Sequence, residues 1–274
     1  MKNLKSTIII TGGSRGLGLN CALNLAKKGW NLAIVDISDK ACSIYKENKN
    51  ITEVKSKLCV NNNNVKFYFG DLSNESISKK IVKNIFKDFK YVDGLVNYAG
   101  GDIGGNDNNA SGGKPNQNNL FIKSKDMNII YRRNYLSTFF MLRNFINKAK
   151  QQSKGKIVNI SSISGTFGSY KEFAYANSKN SIIHLTRSAA LYSREFNINV
   201  NCIAPCGTAS ARFLKTLKFR GELDKKRFKQ KNRLLGFAHP DDISNAVYFF
   251  LSDLSDFVSG QVLRIDGGEF AFPA

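Results

Sequence analysis

Tyr175 and Lys179 stand four residues apart in the stretch Tyr175-Ala-Asn-Ser-Lys179. It runs on into Ser181-Ile-Ile-His-Leu-Thr-Arg-Ser-Ala-Ala-Leu191, where apolar residues recur at three- and four-residue spacings, the signature of a helix face. On such a helix the phenol and the ammonium lie one above the other. An ammonium beside a phenol favours the phenolate, drawing its pKa down from about 10 toward a range useful for proton exchange with a substrate. Ser162 lies thirteen positions before the tyrosine, at the end of the β-branched run Lys156-Ile-Val-Asn-Ile-Ser-Ser162, which reads as a buried parallel strand. There its hydroxyl can reach the substrate oxygen that the tyrosine protonates or deprotonates. Taken alone, Tyr-x-x-x-Lys is most often a surface helix pair, so its meaning depends on the rest of the chain.

The elements that would position these groups alternate between strand and helix. Ser6-Thr-Ile-Ile-Ile-Thr11 is a compact apolar strand, followed by Gly12-Gly-Ser-Arg-Gly16-Leu-Gly18 and a helix through Lys28. Glycines at a strand-to-helix turn let backbone approach a pyrophosphate, which the helix N-terminus attracts through its unpaired N–H groups and dipole. Asn31-Leu-Ala-Ile-Val-Asp36 is a second strand ending in a carboxylate, placed to accept hydrogen bonds from an adenosine ribose diol and to repel a 2′-phosphate. Arg15 pulls toward the phosphorylated cofactor, but no arginine follows Asp36, so NAD is favoured over NADP. A charged helix is expected over 38–60, a third strand at Val65–Asp71, a helix from Glu75 to about Phe89 and a fourth strand from Gly94. Further on come a helix from Lys125 to Gln151 and a sixth strand at Asn199–Pro205. Pro240 opens another helix, and the last strand lies within 260–268.

Taken together these motifs resemble the short-chain dehydrogenase/reductase family, from Ser6 to Gly268. The Ser162, Tyr175 and Lys179 arrangement, the loop spacing Thr11-Gly12-x-x-x-Gly16-x-Gly18 and the closing Asp266-Gly-Gly268 carry the likeness. It implies one doubly wound Rossmann domain over 1–274, an α/β fold with a seven-stranded parallel sheet and helices on both faces; the strand–helix alternation supports this independently. It also implies that Asn134 links Lys179 to solvent from a locally distorted helix, giving a catalytic set of Asn134, Ser162, Tyr175 and Lys179. Cofactor contacts are implied for Gly12, Ser14, Arg15, Gly16, Leu17, Gly18, Asp36, Asp71, Leu72, Asn97, Ala99, Gly100, Tyr175, Lys179, Thr208 and Ser210. The chain departs from the family in three places: Tyr98 replaces an asparagine, Cys206 replaces a glycine after Pro205, and Ser210 stands for a threonine. The reaction implied is hydride transfer between NAD(H) and a secondary alcohol or carbonyl compound, such as a sugar or polyol, in a homotetramer and without a metal.

Composition narrows the remaining classes. With 274 residues, 42% of them hydrophobic and 23% charged, the chain can bury a large core. No apolar stretch approaches the roughly 20 residues that span a bilayer. The start passes straight into a strand without a signal peptide, and five cysteines without framework spacing suit reduced thiols, so a cytoplasmic protein is expected. The net charge of +20 is spread along the chain among asparagines, without a basic block interleaved with aromatics, so no specific nucleic-acid partner is inferred. Residues 101–119, rich in glycine and asparagine, are expected at the substrate mouth, and 206–239 as a lid. Two other readings stand: a 3-oxoacyl carrier-protein reductase using NADPH, whose basic surface would meet an acidic carrier, and a non-enzymatic NAD-sensing or interaction module.

Overall fold

The computed structural model of the chain describes residues 5–102, 118–170, 172–217 and 222–270. Seven strands form one parallel sheet in the order β3-β2-β1-β4-β5-β6-β7. They are β1 (Thr7–Thr11), β2 (Asn31–Asp36), β3 (Val65–Phe69), β4 (Gly94–Asn97), β5 (Gly155–Ile160), β6 (Ile198–Pro205) and β7 (Val262–Ile265). The order reverses at β1, which pairs with β2 on one side (Ile8 opposite Leu32) and β4 on the other (Ile8 opposite Gly94). In an open parallel sheet such a reversal leaves a crevice beyond the carboxyl ends of the strands.

The side-chain period of two sends alternate residues of each strand to opposite faces. Ile8 and Ile10 pack with Leu32, Ile34, Val96 and Val158 against α1 (Gly16–Lys27), α2 (Ile51–Leu58) and α9 (Pro240–Leu251). Ile9 joins Val35, Leu95, Ile157 and Val200 under α3 (Glu75–Phe89), α5 (Ser137–Ala149) and α6 (Phe173–Ser193). The sheet is thus covered on both faces, as the near-continuous apolar strands require.

The helix expected over 38–60 is not continuous. A 3-10 turn at Asp39–Ser43 is followed by Lys46 in the left-handed region, φ 59°, and α2 starts only at Ile51. Asn50 caps it by accepting from the Glu53 amide at 3.0 Å. Serines and asparagines that bond the local backbone compete with helix, and this segment is rich in them. The helix expected over 125–151 is α4 (Ser124–Tyr131) and α5, joined by a π-helical turn at Arg132–Leu136 that contains Asn134. The expected lid contains α7 (Ala211–Thr216) and α8 (Glu222–Phe228). Residues 103–117 of the expected substrate mouth and 218–221 of the expected lid lie outside the described residues.

Candidate functional site

The sequence-predicted residues gather at the carboxyl ends of β1 through β6, along the crevice. At the first turn, close backbone packing demands glycine: a Cβ on Gly18 would come within 2.2 Å of the Gly12 carbonyl oxygen. Gly16, Leu17 and Gly18 form the first turn of α1, where N–H groups lack helical acceptors. Asp36, buried at the end of β2, is bound by the loop itself. Its Oδ2 accepts from the Ser14 amide at 3.2 Å and the Ser14 hydroxyl at 2.5 Å, and its Oδ1 from the Ile37 amide at 2.8 Å. At the end of β3, Asp71 Oδ1 accepts from the Ser73 amide at 2.9 Å, and Leu72 is buried.

After β4, the Ala99 amide donates to the Thr11 hydroxyl at 3.0 Å, tying the two central loops together. Asn97 donates to Asn159 at 2.9 Å. The chain then passes through Gly100 and Gly101, gripped by the π-helical turn. Asn134 Nδ2 donates to the carbonyls of Ile130 at 2.9 Å and Gly101 at 3.0 Å, while its Oδ1 accepts from the Gly101 amide at 2.9 Å. The expected irregularity of the helix is therefore present, and its asparagine is fully buried.

Ser162 follows β5, and its hydroxyl accepts from the Ser164 amide at 3.3 Å. Tyr175 and Lys179 lie in the first turns of α6, as the spacing predicted. Burial pushes the Tyr175 phenol upward, a hydrogen bond with Ser162 and the charge of Arg212 pull it down, and Asp102 pushes it up again. The expectation that Lys179 would draw the phenol down is not met here. Its Nζ lies 5.7 Å from the Tyr175 ring centre and donates to the Ile160 carbonyl at 2.9 Å, and burial lowers its own pKa to about 8.

Beyond β6, the Thr208 hydroxyl donates to the Cys206 carbonyl at 3.0 Å. Ser210 caps α7, its Oγ accepting from the Phe213 amide at 3.3 Å. Cys206 is not in the left-handed region, so the backbone there does not ask for glycine. Among the described residues, no His, Cys, Asp or Glu cluster could hold a metal ion, and no helix is long and apolar enough to cross a membrane.

Three features lacked a motif in the sequence. The Glu47 carboxylate accepts from the Gly16 amide with both oxygens at 3.2 Å, so an anion of the chain itself sits on the N-terminus of α1. Buried Asp102 accepts from Asn118 at 3.4 Å and from Arg133 at its carbonyl oxygen at 3.2 Å. Arg212 comes from α7 to the side of Gly101. Glu47 and Asp102 belong to connections between elements, and Arg212 to a six-residue helix too short to show a periodicity.

The crevice fits a dinucleotide. A Cβ on Gly16 would find no atom within 4 Å, so the loop is open in that direction, while its amide holds the Glu47 carboxylate, which a pyrophosphate bound at that amide would displace. Arg15 Nη1 and Asn97 Oδ1 are buried along the same crevice without a hydrogen-bond partner among the described residues. Such groups carry a desolvation cost that a bound polar partner removes.

The family model described as short chain dehydrogenase matches residues 6–218. The 3-oxoacyl-[acyl-carrier-protein] reductase of Aquifex aeolicus is 29% identical over 264 residues, covering 96% of each chain. The crystal structure of levodione reductase superposes with a TM-score of 0.82 at 25% identity, covering 98% of each chain. That of ElxO with NADP bound gives 0.79 at 27% identity, over 98% of this chain and 100% of the other. A family match spanning most of the chain, over a parallel sheet whose crevice suits a nicotinamide dinucleotide, settles the kinship: this chain belongs to the short-chain dehydrogenase/reductase family of oxidoreductases.

Proposed function

We propose that the protein interconverts a secondary alcohol and its carbonyl compound with NAD(H) as the hydride partner. The observation that supports this best is the partly buried Tyr175, its phenol hydrogen-bonded with Ser162 and flanked by an ammonium whose pKa is held near 8. A nicotinamide cofactor, when bound in the crevice, would supply the hydride for reduction or accept it in oxidation. Gly12, Ser14, Arg15, Gly16, Leu17, Gly18, Asp36, Asp71 and Leu72 would hold the adenosine and phosphate half; Asn97, Ala99, Gly100, Thr208 and Ser210 would line the remainder. In the reducing direction Tyr175 gives its hydroxyl proton to the substrate oxygen, and in oxidation it takes that proton back. Ser162 donates a hydrogen bond to the same oxygen as charge develops on it. Lys179, close to half-protonated near pH 8, replenishes the proton, with Asn134 holding the strand end against which it packs.

Changing Tyr175→Phe removes the exchangeable proton and little else. Turnover should fall by roughly 10²–10⁴-fold, the usual worth of positioned acid–base help, while NADH binding, followed by fluorescence, persists. Retention of more than a few per cent of turnover would sink the role. A second reading, reduction of 3-oxoacyl groups on an acidic carrier protein with NADPH, is favoured by the kinship with the Aquifex reductase and by the net charge of +20. Asp36 opposes it through the charge it places by the adenosine ribose. Preferential turnover of a carrier-bound 3-oxoacyl thioester over the same acyl group on a small thiol would carry that reading instead.

A further inference from the structure

We infer that Arg212 reads an anionic group on the substrate, so that this site takes an oxo or hydroxy compound bearing a carboxylate or a phosphate. The inference rests on the oxidoreductase reading above and names the class of substrate for it.

The geometry begins at Gly100 and Gly101. A Cβ on Gly100 would stand 2.6 Å from Asn134 Oδ1 and 3.4 Å from Lys179 Nζ; one on Gly101 would stand 3.0 Å from Arg212 Nη1. The same two-residue step therefore has the proposed proton relay against one residue and a guanidinium against the next. Gly101 has φ +127°, a conformation that L side chains rarely adopt. With no side chain there, the Arg212 guanidinium packs directly against the backbone of Gly101. Its charge is felt by the Tyr175 phenol, so the guanidinium lies within electrostatic reach of that group.

Arg212 is not the only cation there. Arg133, next to Asn134 in the π-helical turn, is partly buried and donates to the Asp102 carbonyl. Burial disfavours its charge first, and repulsion from Arg212 and then Arg15 adds to that, with Asp102 opposing. Two guanidinium groups that repel one another across a partly desolvated mouth make a field that attracts anions. The planar guanidinium fork matches the oxygens of carboxylate or phosphate in a way an ammonium does not. Arg15 belongs to the glycine loop and, in the reading above, to the cofactor; Arg212 lies against Gly101, and its charge acts on Tyr175.

Matched substrate pairs test this: acetoacetate with methyl acetoacetate, and dihydroxyacetone phosphate with dihydroxyacetone, each reduced by wild type, Arg212→Leu and Arg212→Lys. In at least one pair the wild type should favour the anion in kcat/KM by roughly tenfold to a hundredfold, the range expected of charged hydrogen bonds. Arg212→Leu should erase most of that ratio and Arg212→Lys should restore part of it. Which pair shows the effect separates carboxylate from phosphate. Ratios near one in the wild type, or a ratio that survives Arg212→Leu, overturn the inference. So does a loss shared equally by both members of each pair together with weakened NADH binding, which would assign Arg212 to the cofactor. If wild type turns over none of the four compounds, calorimetric titration of each into the enzyme–NADH mixture decides. Anion-selective binding lost in Arg212→Leu upholds Arg212 while counting against the catalytic reading; equal or absent binding overturns it.

Discussion

At the scale of single residues, cofactor choice turns on how fully Asp36 is already engaged. The Ser14 amide and hydroxyl both bind Oδ2, while Oδ1 carries the Ile37 amide alone, a carboxylate oxygen with a second lone pair to offer a hydroxyl. The carboxylate is thus held in place, and in the proposed reading its charge would stand where NADP carries a phosphate. Like charges partly withdrawn from water at a few ångströms cost on the order of 1–3 kcal/mol, or roughly ten- to a hundredfold in affinity. Asp36→Ala should therefore tighten NADPH binding and weaken NADH binding, measured as dissociation constants for both nucleotides. Tighter wild-type binding of NADPH than of NADH would refute this. Tyr175, Lys179 and Asp36 were legible in the sequence because each sits at a fixed place on a regular element. Asp102 and Glu47 were not, since only the folded path of a connection brings them to the crevice, and Arg212 was not, since its helix is too short to show a periodicity.

At the scale of elements, strands and long helices followed from apolar periodicity, and the bounds of α3 agree with those read from the sequence. The segment over 38–60 did not, because its charged residues imitate a helix face while its serines and asparagines bond the local backbone. The outward surfaces of the long helices carry a further signal. Tyr131 and Tyr135 pack at 4.9 Å between ring centres and Tyr135 and Phe139 at 6.1 Å, making an aromatic ladder along α4 and α5. On α6, Leu191 is 71% exposed and Tyr192 is 55% exposed. Apolar surface of this kind on adjoining long helices suits burial against a second copy. We expect a homotetramer, and light scattering at micromolar concentration should give a mass about four times that of one chain; a monomer would overturn this.

At the scale of the whole molecule, the sheet separates support from chemistry. Two apolar layers hold the strands, and the polar groups discussed above collect beyond one end of them. Lys179 joins the two regions, and so enters the molecule's proton inventory. Its pKa falls from 10.5 to about 8 because burial strips water from the ammonium. Below about pH 8 folded and unfolded chains both hold this proton, and the fold bears the full cost, about 3 kcal/mol at 1.36 kcal/mol per pKa unit. Between about pH 8 and 10.5 the folded chain has released the proton while the unfolded chain keeps it, so this group's contribution to stability rises with pH. Cys21 and Cys202, pushed up to about 12 by burial, act in the opposite sense above pH 9, so the lysine is isolated by comparison with Lys179→Met. The variant should melt at a higher temperature than the wild type at pH 7, and the gap should narrow by about pH 9.5; a constant gap would place the effect in packing. An anion bound near Nζ would favour the charged form, so nucleotide association near pH 8 would draw a proton from solvent, and its affinity would weaken as the medium becomes more alkaline.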